Sequence, residues 1–192
     1  MKPAVTVTKT FDNAAAIRRA VQKLTEQDVY IGVPEDKSAR EAAGDTGISN
    51  AYLAYIQENG VPEKNIPARA ALIPGIQDIQ AEAADILRDT AKKALEGNIA
   101  AVETGLNKIG ILGQNAVRAR FLNNDWEPLA DTTLDRRKKI SETVNAKGET
   151  VKKFGKSRRE RGAVNPRIDT NQNRKAYTYV IRKKGNTALV VK

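Results

Sequence analysis

Neither cysteine nor histidine occurs anywhere in this chain of 192 residues. Without thiols there is no disulfide framework and no thiolate metal site. Without imidazole as well, the usual zinc ligands, the commonest general base and every Ser-His or Cys-His nucleophile pair are excluded. Carboxylates remain, but Glu35, Asp36, Asp45 and Asp125 stand in loop-like, charge-mixed contexts. Nothing there implies the burial or close partner that tunes a catalytic carboxylate. No G-x-x-x-x-G-K-[ST] occurs, and no G-x-G-x-x-G follows a strand, so a phosphate-cradling loop is missing too. The expectation is a protein with no catalytic residue, no metal and no cofactor.

Aromatic residues are scarce, at 5% with a single Trp, against 40% apolar residues in all. That supports one domain with a lean core of Ala, Ile, Leu and Val, with or without appendages. Long apolar runs are absent: no stretch approaches the 18 or so residues of a membrane span. The opening Met1-Lys2-Pro3-Ala4-Val5-Thr6-Val7 has no apolar run of signal-peptide length. A protein that avoids membranes and stays in the cytoplasm where it is made, unless an assembly carries it, is expected.

Charge is plentiful and lopsided. Residues 131–192 hold 18 Lys/Arg against 6 Asp/Glu, a net of +12, whereas residues 1–130 hold 15 against 17, a net of −2. The C-terminal third therefore calls for an anionic partner, either nucleic acid or an acidic protein surface. Its densest part contains Arg136, Arg137, Lys138, Lys139, Lys147, Lys152, Lys153, Lys156, Arg158, Arg159 and Arg161 against Glu142, Glu149 and Glu160. Such a run attracts phosphates by counterion release without sequence readout. Only Phe154 interrupts it, so the stacking platforms of a single-strand binder are lacking. A solvated loop, docking on acidic protein and direct DNA contact all stay open. The residues expected to meet an anionic partner are Arg136, Arg137, Lys138, Lys139, Lys152, Lys153, Arg158, Arg159 and Arg161.

Patterning predicts the elements. The β-branched Val5-Thr6-Val7-Thr8 reads as a strand, as does 28–33, which Pro34 stops. Between them Asp12 offers an N-cap for a helix through Ile17, Val21 and Leu24. Residues 35–48 read as an exposed loop, and 49–59 as a short helix closed by Asn59-Gly60. Pro62, Pro67 and Pro74 rule out a helix through the connector 61–74. Apolar spacing then predicts helices over 76–95 and, capped by Asn98, over 99–122. Gly105, Gly110 and Gly113 lie inside the second, each costing roughly 1 kcal/mol against Ala, so they mark either close packing or a bend. Residues 131–174 are too polar to bury and read as a long arm or flexible loop, with a short helix around 132–144 as an option. Strands over 176–181 and 187–191, joined at Lys184-Gly185-Asn186, close the chain as a hairpin.

The expected architecture is α+β: a small, mostly antiparallel sheet from both chain ends, packed by long central helices. The body spans 1–130, the basic arm 131–174, and the C-terminal hairpin 175–192. Within the connector, Ile66, Pro67, Ala68 and Arg69 make a stiff turn after a helix end. It is either a structural elbow, with Arg69 left to pair with a neighbour, or a subunit contact. Trp126 anchors the turn Trp126-Glu127-Pro128-Leu129 and is a second interface candidate.

Three stretches carry a resemblance. Ala51-Tyr52-Leu53-Ala54-Tyr55-Ile56-Gln57-Glu58-Asn59-Gly60, followed by Asn65-Ile66-Pro67-Ala68-Arg69-Ala70-Ala71-Leu72, is similar to a helix of the type A-x-x-A-x-I-x-E-x-G preceding I-P-A-R-P-F-L. Ala70 and Ala71 replace the usual Pro and Phe. Trp126 to Leu134 resembles W-x-P-L-x-x-x-T-x. Ile168-Asp169-Thr170-Asn171-Gln172 with Tyr177-Thr178-Tyr179-Val180 resembles L-I-D-T-G-x-L-x-x-S-I-x-Y-x-V, with Asn171 in place of Gly. In this order, across roughly 50–182, they resemble tail-completion and virion-morphogenesis proteins of tailed bacteriophages. The resemblance implies a structural virion protein of the head–tail junction that forms a ring with itself, often of six copies. Head-connector and tail-tube or tail-terminator proteins would be its neighbours, with contact to genomic DNA left open. Segment 134–167 then stands as an insertion that reaches a neighbouring subunit or ring. The rival reading is a basic nucleic-acid-binding protein that uses residues 136–161 on phosphates.

Overall fold

The computed structural model describes residues 14–39, 47–123, 125–137, 139–168 and 171–185. Helix α1 (Ala14–Thr25) leads into strand β1 (Gln27–Gly32), then α2 (Asn50–Asn59), α3 (Leu72–Asp78), α4 (Gln80–Leu95) and the long α5 (Ala100–Asn123). The short α6 (Asp131–Asp135) precedes a hairpin of β2 (Lys139–Val144) and β3 (Thr150–Phe154), and α7 (Gln172–Ala176) leads into β4 (Thr178–Lys183). The fold class is α+β, as expected. β1 pairs antiparallel with β4, from Gln27↔Lys183 to Gly32↔Thr178, so early and late segments share a sheet. The strands expected at 5–8 and 187–191 lie outside the described residues. No helix among the described residues is long and apolar enough to cross a membrane.

Helix α5 organises the packing. Val117 and Phe121, towards its end, join Ala54, Ala71 and Tyr177 in one core cluster. Val102 and Leu106, near its start, join Ala20 and Ala94 in another. The cross-strand pairs Val29↔Ile181 and Ile31↔Tyr179 face this helix, one pair packing at each cluster's edge or on a glycine. A Cβ at Gly105 would overlap the Thr90 side chain, one at Gly110 the Tyr179 ring, and one at Gly113 the end of Ile31. Of the two readings left open for these glycines, close packing is the one observed, and α5 runs unbroken through all three. Gly75 of α3 does the same from the other side, its missing Cβ falling 2.9 Å from the Val117 Cα.

Other expectations were met or corrected locally. Ser49, expected to begin α2, is instead its N-cap, with its Oγ accepting the Tyr52 N–H at 3.1 Å, and Gly60 (φ 73°) ends the helix as expected with an N–H to the Ile56 carbonyl. The helix expected over 76–95 is two helices that part at Ile79, which leaves helical dihedrals (φ −106°, ψ 3°). Helix α3 also starts earlier, at Leu72, inside the proline-marked connector. Pro74 is tolerated because the first turn of a helix needs no intrahelical N–H.

The polar segment 131–174 differs most from the extended arm that was expected. It holds α6, the β2–β3 hairpin, a turn-rich loop and α7. The hairpin's tip is built by Asn145, whose Oδ1 accepts the N–H groups of Lys147 (2.9 Å) and Glu149 (3.0 Å). Gly148 supplies the positive φ of 78° that the turn requires.

The close approach of α5 to the sheet gives a direct test. Gly110→Ala should gain roughly 1 kcal/mol of helix propensity yet lose about 1–3 kcal/mol net through overpacking against Tyr179. Chemical denaturation measures this, and a stabilised variant would refute the packing.

Candidate interaction surface and its anchor

Glu58 sits on the last turn of α2, and its carboxylate reaches across to the start of α3. Oε2 accepts the N–H groups of Ala71 (2.9 Å) and Leu72 (3.0 Å), and Oε1 that of Ile73 (2.9 Å). With Pro74 carrying no N–H, every orphan donor of that helix start is accounted for. The connector is pinned to α2 as well: Arg69 donates its backbone N–H to the Gln57 carbonyl (2.7 Å). Gly60 permits this, since a Cβ there would lie 2.8 Å from the Ala68 nitrogen and 2.9 Å from the Ile66 oxygen.

The connector and the Trp126 turn hold each other. The Arg69 guanidinium donates to the Glu127 carbonyl from Nε (3.3 Å) and Nη2 (3.2 Å), and Trp126 Nε1 donates to the Ala70 carbonyl (3.3 Å). Ile66, Pro67, Ala68 and Arg69 form the stiff elbow that one of the two readings expected. Arg69 was expected to be free for a neighbour; its partner is within the chain. Ile66 forms a bridge with Val61. Trp126 is half-buried against the core cluster, which makes it an internal anchor in this chain.

Beneath Trp126 lies Arg167, only 4% exposed. Its guanidinium carbon sits 4.2 Å from the Phe121 ring centroid and 5.6 Å from that of Trp126, within reach of cation–π attraction. Nη1 donates to Gln57 Oε1, while Nε and Nη2 have no acceptor among the described residues. Burial pushes this guanidinium's pKa down, with the Tyr177 hydroxyl and the Glu58 carboxylate working against the shift. Burial likewise raises the Tyr177 hydroxyl, whose ring meets Phe121 edge-on at 5.4 Å. The three stretches that carry the family resemblance thus meet around one buried cation.

From this anchor the chain runs out to the β2–β3 hairpin through a charged base. Arg159 donates to Asp135 Oδ1 (2.6 Å) and Asp131 Oδ1 (2.6 Å) on α6, and Arg137 pairs with Glu160. Arg159 holds the Asp135 carboxyl below its ordinary 3.8. Arg158 Nη2 donates to the carbonyls of Asn165 (2.8 Å) and Ile168 (2.9 Å). Arg137, Arg158 and Arg159 were expected to meet an anionic partner. The structure pairs them within the chain at the hairpin base, Arg137 and Arg159 from exposed positions and Arg158 partly buried, and Arg161 has contacts within the chain too. Lys138 lies outside the described residues and Lys139 begins β2.

Arg136, Lys152 and Lys153 remain exposed, the last two on the hairpin. All of β3 is exposed, and among the described residues neither strand packs extensively on a helix. Ile140, Val144 and Phe154 are 64%, 69% and 49% exposed, with Val151 at 46%. The pairs Val144↔Thr150 and Glu142↔Lys152 fall on the same face as Phe154, by the two-residue period of a strand. Thr143, Val151, Ser141 and Lys153 occupy the other face. This hairpin combines an apolar stripe with lysines. The sequence reading missed it, although Asn145 and Gly148 between two β-branched runs were a usable turn signal. It also missed Glu58, Gln57 and Arg167 as an anchor, because their partners lie far along the chain. Compared with known proteins, the chain matches no protein family, no curated protein and no solved structure.

Two outcomes follow. Arg167→Ala should destabilise the fold by about 2–4 kcal/mol, through the cavity between two rings and an unpaired Gln57 oxygen; thermal and denaturant midpoints measure it. Because the Asp135 pKa is depressed when folded, its clamp with Arg159 contributes fully above 3.8. It is lost as pH falls through the lower folded value. Spin labels on the hairpin tip and α5 should report one sharp distance from pH 8 to 5, broadening only on the acid side of 3.8. Arg159→Ala should broaden it at neutral pH.

Proposed function

We propose that this protein is a non-enzymatic assembly subunit of the head–tail junction of a tailed bacteriophage, of the tail-completion type. It forms a homo-oligomeric ring and binds adjacent virion proteins. The observation that carries this reading is the projecting β2–β3 hairpin with Ile140, Val144 and Phe154 exposed. A two-stranded hairpin is marginal in water and gains stability from a third strand or an apolar surface. Among the described residues the chain's own body supplies neither, and a neighbouring subunit would. The rigid tip and the ion-paired base hold the hairpin ready, which lowers the ordering cost of docking.

The resemblance adds the kind of assembly. Its three stretches meet around Glu58 and Arg167, so they belong to one constructed centre that orients the hairpin. The same lysines on duplex DNA would be the competing use. That use needs cations more than apolar side chains, and three of the expected cations, Arg137, Arg158 and Arg159, already have acceptors within the chain.

Light scattering and negative-stain microscopy of nuclease-treated protein test this. The full chain, alone or with connector and tail components, should form rings, and a variant with 139–154 replaced by a short Gly-Ser turn should not. A monomer that joins no virion part and binds duplex DNA with steep salt dependence would overturn it.

A further inference from the structure

Helix α5 keeps its buried residues on one side, and its other side meets solvent in a regular pattern. Thr104, Lys108, Ile111, Asn115, Arg118 and Leu122 follow one another at alternating steps of four and three residues. They fall within about 80° of the helix surface at 100° per residue. That alternation is the seam by which one helix packs along another. Arg118 is half-buried and the other five are exposed, with Ile111 at 47% and Leu122 at 60%. Arg118 is fixed from within, Nε donating to the Tyr177 carbonyl (2.9 Å) and Nη2 to the Lys175 carbonyl (3.1 Å). Among the described residues it pairs with no carboxylate. Lys108, and Asp125 just past the helix end, form no ion pair there either.

The seam is complementary to itself when a second α5 runs the other way. A two-fold axis midway between Asn115 and Arg118 sets Ile111 opposite Leu122, Asn115 opposite Arg118 and Lys108 opposite Asp125. Each pair then occurs twice, the mark of an isologous contact. The apolar side chains meet, the Asn115 carbonyl oxygen gains a guanidinium donor, and the ammonium gains a carboxylate. A parallel pairing would instead set Lys108 on Lys108 and Arg118 on Arg118, a juxtaposition that like charges penalise. A polar residue such as Asn115 at a seam position also fixes register and direction.

We propose that a second copy of this chain packs antiparallel along the outer face of α5, with Ile111 against the partner's Leu122, Asn115 against the partner's Arg118 and Lys108 against the partner's Asp125. The contact closes a dimer and uses none of the hairpin. It does not depend on the ring proposed above, and combined with a ring contact it sets two rings back to back.

Sedimentation equilibrium of the nuclease-treated full chain tests it, and an assembly with an even number of copies is expected. Ile111→Asp should weaken association about tenfold or more. Lys108→Glu alone and Asp125→Lys alone should each weaken it, and both in one chain should restore it, because every copy then carries the two reversed charges. All three positions are exposed, and unchanged thermal midpoints will confirm intact folds. Because the chain has no cysteine, a mixture of Ile111→Cys and Leu122→Cys proteins offers a second readout. Mild oxidation should give the mixed covalent dimer in excess over either like-paired one, and an excess of like-paired dimers would overturn the antiparallel contact. Rings that form while Ile111→Asp and the charge reversals change nothing would sink this inference and leave the assembly reading standing. A dimer that obeys these substitutions yet never builds rings would do the reverse. A full chain that stays monomeric with and without other virion components overturns both.

Discussion

Helices α3 and α4 and the β1–β4 sheet are laid against α5, and what sets the distances is the missing Cβ at three of its positions. Gly105 admits Thr90 of α4, Gly110 admits the Tyr179 ring of β4, and Gly113 admits Ile31 of β1. Each glycine costs the helix roughly 1 kcal/mol of propensity, offset by packing that brings α4 and both strands close. A lean core needs that closeness. With few aromatics to span wide gaps, small side chains make dispersion contacts only when the elements carrying them nearly touch.

A second constraint sits at the opposite end of α5. Arg167 is a cation in an apolar place, with two donors unsatisfied, so burial disfavours it. Two ring faces, Gln57 and the nearby Glu58 charge offset that penalty. Glu58 is not free to move, because three N–H groups at the start of α3 hold both of its oxygens. The connector, the Trp126 turn and the segment before α7 therefore stand in one arrangement. The hairpin inherits its direction from them.

The distribution of charge takes on a different meaning in three dimensions. As a linear run, residues 136–161 read as a mobile polycation. Folded, the arginines near the hairpin base satisfy carbonyls and carboxylates, while the lysines stay on the hairpin. Arg and Lys divide along chemical lines. The planar guanidinium suits fixed, multidentate contacts to Asp131, Asp135 and backbone oxygens, and the ammonium on its flexible stem suits a solvated surface.

Local chemistry determined much by itself. The close of α2 at Gly60, the helices through Ile17, Val21 and Leu24 and through α5, the strands at 27–32 and 178–183, and their α+β class follow from periodicity and turn residues within a few positions of one another. The absence of Cys and His removed whole classes of site without any coordinates. Tertiary structure alone decided that Glu58 caps a helix 13 residues away, that Arg167 is buried between Phe121 and Trp126, and that α4 parts from α3 at Ile79. It also decided that the glycines of α5 are contact points and that the basic segment folds into a hairpin. The physical reason is common to these cases. A hydrogen bond or a ring stack across tens of residues leaves no periodic trace, because its partners are chosen by where the backbone returns in space.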